Sequence, residues 1–401
     1  MSTSLLYHTQ GIRGFQFLNF KFNGEKVTAE ITRNSNKFMC SKCKNRDITA
    51  TYIGNRVIRG LPMGSKFFDL SVNVHRIMCK KCSSFLTEKL DFLPEEKVHY
   101  TKQLARTIIE LRPEMTIQAI AKHFGLSWNT VKEIEKRHLK KKYKRINLKK
   151  VKNIGIDEIH IGQEGFLTIV RDLKSGSVLH VGKGKGVDAL SDFTKRLYRY
   201  KVKLEIISLD FGHAYIKWAK ETQPQAKLIF DHFHLIKLMN DKLDKIRRIT
   251  MNNLEEEDKK QLKGKRWLFL KNIENLKDDS KEELEKLRSI YSDLGTASML
   301  KESLRNIYSI AKYDFEAEIA FDMWCRKAHE TGISYLKTMA KTIRKHIKGI
   351  IAYWRTGITN AFMEGFNNQI RWLNKQAYGY RDIEFLKLKI FDLPHSKIVK
   401  I

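Results

Sequence analysis

The 401-residue sequence predicts a multidomain α/β protein: a zinc-ribbon β module and a helix-turn-helix, followed by an α/β sheet that an all-helical segment interrupts. Three observations carry that reading. Two CxxC pairs stand among alternating strands, the hydrophobic period becomes helical near residue 97, and strand-like runs return at residue 153 before a long helical stretch.

Taken in order, "FLNFKFNGEKVTAEIT" alternates on either side of Asn23-Gly24, a dipeptide suited to a tight hairpin turn because both residues tolerate positive φ. "KFFDLSVNVHRIMC" alternates again and delivers Cys79. Cys40-x2-Cys43 and Cys79-x2-Cys82 each place two thiolates on one side of an ion, and two such turns complete the tetrahedron that Zn²⁺ prefers. Their 35-residue separation is long for a ribbon, and His75 is an alternative ligand. In a reducing compartment four such cysteines point to metal rather than disulfides, and residues 1–92 form a stapled β domain. Cys325 is alone in a helical region and is expected to be buried.

Residues 93–140 read as a helix-turn-helix. Ile117, Ile120, Ala121 and Phe124 make one inner face, Gly125 permits the turn, Ser127 caps the next helix, and Val131, Ile134 and Leu139 bury it. The N-terminal residues of such a second helix enter the major groove, so Ser127, Trp128, Asn129, Thr130 and Lys132 are the candidate DNA contacts. The adjoining "KKKYKRINLKKVK" holds eight Lys/Arg in thirteen positions and no acid. Its residues Lys140, Lys141, Lys142, Lys144 and Arg145 suit phosphate contacts, and 141–152 reads as a basic linker.

The whole-chain charge agrees. With 76 Lys+Arg against 45 Asp+Glu the net charge is +31, which favours a polyanion: nucleic acid first, an anionic membrane surface second. No run of about 18 apolar residues and no signal-peptide layout is present, so a cytoplasmic protein without a membrane partner is expected.

From residue 153 "NIGIDEIHI", "GFLTIVRDL" and "SVLHVGK" read as three antiparallel strands, with a turn at Lys174-Ser175-Gly176. Helix, strand, helix and strand follow, the last two strands ending at Asp210 and Asp231. Residues 233–351 are nearly all helical, with mixed charge, and read as an insertion. Asp157 interrupts an apolar strand against β propensity, and Asp210 ends a buried one, at the edge where open α/β sheets bind ligands. Either acid alone reads as a turn or cap residue. In "ITNAFMEGFNNQI" a helical projection puts Phe362, Phe366, Ile370 and Leu373 on one stripe, with Asn360, Glu364, Asn367 and Arg371 opposite. Asp157, Asp210 and Glu364 together could converge on divalent metal. For Asp231, His232 and His234 the plain reading is a strand end with histidines against the insertion; for Trp267, Trp324 and Trp354 it is core, although one could stack on an unpaired base.

The order of strands and acids resembles the ribonuclease-H-like core of DDE transposases. "GIDEIHI", "LTIVRDL", "IFDHFHLIKLMNDKLDKIRR" and "TNAFMEGFNNQIRWLNKQAYGYRD" are similar to motifs of the ISL-three family of bacterial insertion-sequence transposases. The resemblance covers nearly the whole chain and is most specific from Glu364 to Tyr380, while "RDL" and "DFGHAY" are less typical. It implies that 153–232 and 352–401 form the core around the insertion, and that Asp157, Asp210 and Glu364 are the catalytic triad. The triad would hold two Mg²⁺ ions, or Mn²⁺, about 3.5 to 4 Å apart for phosphoryl transfer on DNA. Gly365 would be kept for close approach of metal, DNA or a neighbouring strand, with Asn360, Asn367, Asn368 and Arg371 flanking the site as DNA or carboxylate partners. The implied partners are double-stranded terminal inverted repeats and target DNA, held by a homodimer associated with the nucleoid. The rival readings are a catalytically inactive DNA-binding regulator and a different nuclease on the same core.

Overall fold

The computed structural model describes residues 3–34, 38–358 and 361–395, the side chains of 3–5, 361, 362 and 395 excepted. Two compact units divide the chain between Lys144 and Arg145.

The first unit opens with α1 (Thr3–Gln10) and strands β1 (Phe15–Asn23), β2 (Lys26–Arg33), β3 (Ile48–Arg59), β4 (Phe67–Cys79) and β5 (Phe85–Thr87). They form one sheet in the order β1-β2-β4-β3, with β5 added to β4. The first hairpin turns on Gly24 and Glu25, one residue later than the sequence suggested: Asn23 pairs with Lys26, and Gly24 alone takes positive φ, 55°. Helices α2 (Lys102–Leu111), α3 (Ile117–Phe124) and α4 (Trp128–Lys142) follow. Thr101, Thr116 and Ser127 each cap one of them, accepting the backbone N–H three residues on through the side-chain oxygen.

Sheet and helices share a single core, in which Phe15, Phe68 and Leu70 meet Leu104, Ile108, Phe124 and Ile134, so no boundary falls at residue 92. Arg59 locks the two parts: it donates to Asp69 at 2.5 Å and to the carbonyl oxygen of Phe124 at 2.8 Å. Gly125 fits beneath it, with φ +60° and a Cβ position 2.9 Å from the Arg59 guanidinium, so a side chain there would be both strained and crowded. The basic segment is not a free linker either. Lys140, Lys141 and Lys142 are exposed on the last turn of α4, whereas Leu148 and Val151 are buried in the core of the second unit.

The second unit is built on a mixed sheet of β6 (Asn153–His160), β7 (Phe166–Asp172), β8 (Val178–Lys183), β9 (Ile206–Leu209) and β10 (Lys227–Phe230). Their order is β10-β9-β6-β7-β8, with β6, β7 and β8 antiparallel and β9 and β10 parallel to β6. α5 (Ser191–Arg199) and α6 (His213–Thr222) connect the strands. A helical layer follows: α7 (His232–Asn252), α8 (Glu256–Leu262), α9 (Arg266–Leu270), α10 (Asp278–Ile290), α11 (Ser292–Ile310), α12 (Asp314–Glu330) and α13 (Ser334–Thr356). α14 (Ala361–Gln376) and α15 (Ile383–Asp392) complete the described chain. None of its helices is long and apolar enough to cross a membrane.

The helical layer does not stand off from the sheet. Ile154, Ile156, Leu209 and Phe230 lie in one buried cluster with Met239, Leu294, Phe321 and Ile343, and Cys325 is buried there as expected. A tight joint between layer and sheet is Gly349 of α13, where a Cβ would come 2.5 Å from the Phe230 ring.

That joint makes a signed prediction. Alanine gains about 1 kcal/mol over glycine in a helix interior, while overpacking costs about 1 to 3 kcal/mol. Gly349→Ala is expected to lower the stability of the second unit in denaturant unfolding; a stabilised variant would show that α13 does not press on β10.

Candidate active site

The sheet presents acids at the carboxyl ends of its parallel strands. Ile154 and Ile156 point into the core, so Gly155 and Asp157, alternating with them, point to the other face. The last paired residues of β6 and β9 are Gly155 and Ser208, so two positions further on Asp157 and Asp210 stand side by side on that face. Adjacent strands lie about 4.8 Å apart. The two carboxylates feel each other: burial pushes the Asp157 carboxyl above its ordinary range, the nearby His234 opposes this, and the charge of Asp210 adds to it. Asp210 holds its own loop, accepting the Gly212 N–H at 2.8 Å.

α14 seats on the same face. Met363 packs on Gly155, where an added Cβ would come 3.0 Å from its sulfur, and the Arg171 guanidinium lies 3.9 Å from the centre of the Phe366 ring. Between them Asn367, only 4% exposed, donates its side-chain N–H to Asp157 Oδ2 at 2.7 Å. Its Oδ1 is also buried and has no hydrogen-bond partner among the described residues. The buried face of α14 is thus Met363, Phe366, Asn367 and Ile370, with Leu373 only partly covered. This corrects the projected stripe, which set Asn367 opposite the apolar side and left Met363 out. Asn360 and the Phe362 side chain lie outside the described residues.

Glu364 is one turn before Asn367 and is exposed rather than turned wholly from solvent. Its charge reaches His232, whose pKa is raised first by a hydrogen bond to Asp231 and further by the charges of Asp231 and Glu364. Asp157, Asp210 and Glu364 are not drawn tightly together. Among the described residues, the four cysteines are the one group of three or more His, Cys, Asp or Glu whose ligand atoms lie within 4.8 Å of one another. Gly365 has open space where its Cβ would be, so no neighbouring strand approaches it, whereas Gly155 is approached closely by Met363. Arg371 is exposed and donates to Asn368 Oδ1 at 2.6 Å.

The "DHFH" residues divide between two surroundings. His232 lies against Tyr308 of α11, with ring centroids 5.3 Å apart, as a histidine facing the helical layer should. His234 turns the other way and brings Nε2 to 4.0 Å from Asp157 Oδ1, a placement the plain sequence reading missed. Beside it Glu158 accepts the Tyr215 hydroxyl at 2.7 Å, and that hydroxyl also meets Thr168 Oγ1 at 2.9 Å.

In the first unit the four thiols gather as the CxxC spacing implied. Cys40 and Cys82 Sγ are 3.7 Å apart, and Cys43 and Cys79 Sγ 3.5 Å. Four sulfurs on a tetrahedron with metal–sulfur bonds of about 2.3 Å would be about 3.8 Å apart, whereas a disulfide requires about 2.05 Å. The set therefore fits a bound metal ion. Ser84 Oγ, 3.4 Å from Cys82 Sγ, draws that thiol down to about 6, in favour of the thiolate. His75 is not the alternative ligand: its Nδ1 lies 3.1 Å from Glu88 Oε1.

On α4 the side chains of Trp128 and Asn129 are exposed, Thr130 is half-buried, and Ser127 Oγ is 2.9 Å from Thr130 Oγ1. Lys132 is half-buried, with Nζ 5.8 Å from the centre of the Trp128 ring and paired to Glu133 at 3.6 Å. Lys144 and Arg145 are exposed.

Comparison with known proteins adds independent findings. A family model described as "Transposase" matches residues 154–390, and one described as "Helix-turn-helix domain of transposase family ISL3" matches residues 90–139. The transposase for insertion sequence element IS1001 of Bordetella parapertussis is 27% identical over 92% of this chain and 91% of its own length. The transposase for insertion sequence element IS1557 of Mycobacterium tuberculosis is 25% identical over 91% of this chain and 87% of its own. A solved Drosophila P element transposase strand transfer complex matches 74% of this chain and 92% of its own with 13% identity and a TM-score of 0.36, a likeness from which nothing is carried over. The transposase model spans more than half of the 401 residues, and the chain belongs to the ISL3 family of DNA transposases.

Proposed function

We propose that this transposase binds the terminal inverted repeats of an insertion sequence and performs metal-dependent strand cleavage and strand transfer at Asp157, Asp210 and Glu364. The observation that carries the reading is that Asp157 and Asp210 each follow by two positions the last paired residues of the parallel strands β6 and β9 and feel each other's charge, with α14 tied onto Asp157 through Asn367. The strand order β8-β7-β6-β9-β10 supports a ribonuclease-H-like core made of 153–232 and 352–401, with 233–351 as its helical insertion.

The residues fit hard divalent cations. Burial raises the Asp157 pKa, so a nearby cation would favour its ionised form; Asp210 adds a second oxygen donor, and the Oδ1 of Asn367, without a hydrogen-bond partner among the described residues, adds a neutral one. When bound, two Mg²⁺ or Mn²⁺ ions would lower the pKa of the attacking water or 3′-hydroxyl and stabilise the leaving oxygen of an in-line displacement. Asp157, Asp210 and Glu364 would hold them. Asn367 fixes the Asp157 carboxylate through one oxygen, and the Glu158 N–H, 2.8 Å from the other, orients it further. No protein nucleophile is needed.

End recognition falls to the first unit. Zn²⁺ on Cys40, Cys43, Cys79 and Cys82 would staple its β sheet, and exposed Trp128 and Asn129 at the start of α4 would reach base edges together with Ser127, Thr130 and Lys132. Lys140, Lys141, Lys142, Lys144 and Arg145 would contact phosphates. Two copies would hold paired ends as a homodimer acting on DNA in the cytoplasm.

Asp157→Asn is expected to reduce cleavage of terminal-repeat DNA in Mg²⁺ by on the order of 10³-fold while leaving gel-shift affinity for the repeats unchanged. Retained cleavage would remove Asp157 from the chemistry. Stoichiometric zinc is expected by elemental analysis of the purified protein. Cys79→Ser or prolonged chelation should remove it and abolish repeat binding, and a metal-free protein that still bound repeats would contradict the staple.

A further inference from the structure

Two of the three tryptophans in the helical layer are core residues. Trp324 donates its indole N–H to the Leu300 carbonyl at 2.8 Å, and Trp354 donates to the Ala311 carbonyl at 2.9 Å. Trp267 is 61% exposed and has no such bond among the described residues. It belongs to α9, a turn whose other apolar residues, Leu268, Phe269 and Leu270, are buried. The turn is pinned from below: Lys301, itself buried, donates to the carbonyl oxygens of Phe269 at 2.9 Å and Lys271 at 2.6 Å. An aromatic ring is thus held out to solvent on a fixed platform.

The ring borders a cavity of about 350 Å³. Lys237, Arg266 and Lys271 line it against the single acid Asp241, and the Arg266 guanidinium lies 5.2 Å from the centre of the Trp267 ring. Asn240 lines it too, with a buried side-chain oxygen that has no hydrogen-bond partner among the described residues. An exposed aromatic face, an excess of positive charge and a free amide are the features that hold a nucleotide: stacking for the base, cations for the phosphate and an acceptor for a base-edge donor.

One helix, α7, has residues at both the cavity and the acids. α7 carries His234 beside Asp157, then Lys237, whose charge reaches Asp157 and which lines the cavity, then Asn240 inside it. These residues are three apart and follow one side of the helix. We infer that the cavity at Trp267 takes an unpaired nucleotide of the DNA strand engaged at Asp157, stacking its base on the indole. This rests on the reading of Asp157, Asp210 and Glu364 as the strand-transfer site.

The test uses the full-length protein and a duplex carrying a one-nucleotide 2-aminopurine bulge, beside the same duplex fully paired. Wild-type protein is expected to quench the bulged probe and to bind it roughly 10-fold more tightly than the paired one. Trp267→Ala should lose both the quenching and the preference yet bind the paired duplex as wild type does, and Trp267→Phe should keep most of the preference. A bulged probe that stays bright, or an undiminished preference in Trp267→Ala, would overturn the inference. Metal-dependent cleavage of paired terminal repeats by wild-type protein is scored separately, so a failed cavity and a failed active-site reading give different results.

Discussion

One hydrogen bond between residues 210 positions apart, from Asn367 to Asp157, organises the site. An ionised carboxylate at the end of a central strand costs several kcal/mol to bury unless something pairs with it, and Asp210 beside it adds repulsion. A hydrogen bond to a charged group is worth about 1.5 to 3 kcal/mol, enough to offset part of that cost and to fix the rotation of α14. The rest of the contact serves the same end: Gly155 lets Met363 approach, and Phe366 covers Arg171. Once α14 is locked at Asn367, Glu364 is placed one turn earlier, on the side that reaches His232.

Each of the two units has its own core. In the first unit, β sheet and helix-turn-helix are joined by apolar packing and by Arg59, and the four thiols gather at the far ends of β4 and its neighbouring turns. In the second unit the helical layer packs on the sheet that carries the acids, and α7 belongs to both, since its first turn borders the acids while Met239 and Leu243 bury it in the layer. The basic segment that joins the units is anchored at each end, by the last turn of α4 and by Leu148 and Val151. Its charges are therefore fixed near folded surfaces.

Most elements were legible because their periods are clean. Strands from "NIGIDEIHI" to "AKLIFD" fall where the alternation and apolar runs place them, and the cysteine spacing implied the thiol cluster. Asp157 was legible as an acid in a strand that disfavours one. Asn367 was legible as a carboxylate partner beside the site, but its burial was not, because the projection ranked apolar residues only. Met363, Phe366, Asn367 and Ile370 follow the i, i+3, i+4, i+7 template of a buried face, and a polar residue inside that template was the missed signal. The turning of His234 and the exposure of Trp267 depend on contacts between distant segments, and a five-residue helix such as α9 has too little sequence to show a period. The division at residue 92 failed for a similar reason: Arg59 reaches across 65 positions to Phe124, and no local pattern records that.

The central claim is that Glu364 joins Asp157 and Asp210 in holding divalent metal, although the three are not closed to ligand distance in this structure. Mn²⁺ binding to the full-length protein, followed by electron paramagnetic resonance with the thiol site filled by zinc, tests it without relying on catalysis. The account predicts that Glu364→Gln weakens Mn²⁺ binding at least about tenfold, since an acid that ligates an ion contributes more than a distant charge. Unchanged Mn²⁺ binding in Glu364→Gln, together with loss of binding in Asp210→Asn, would leave Glu364 outside the site and contradict the account.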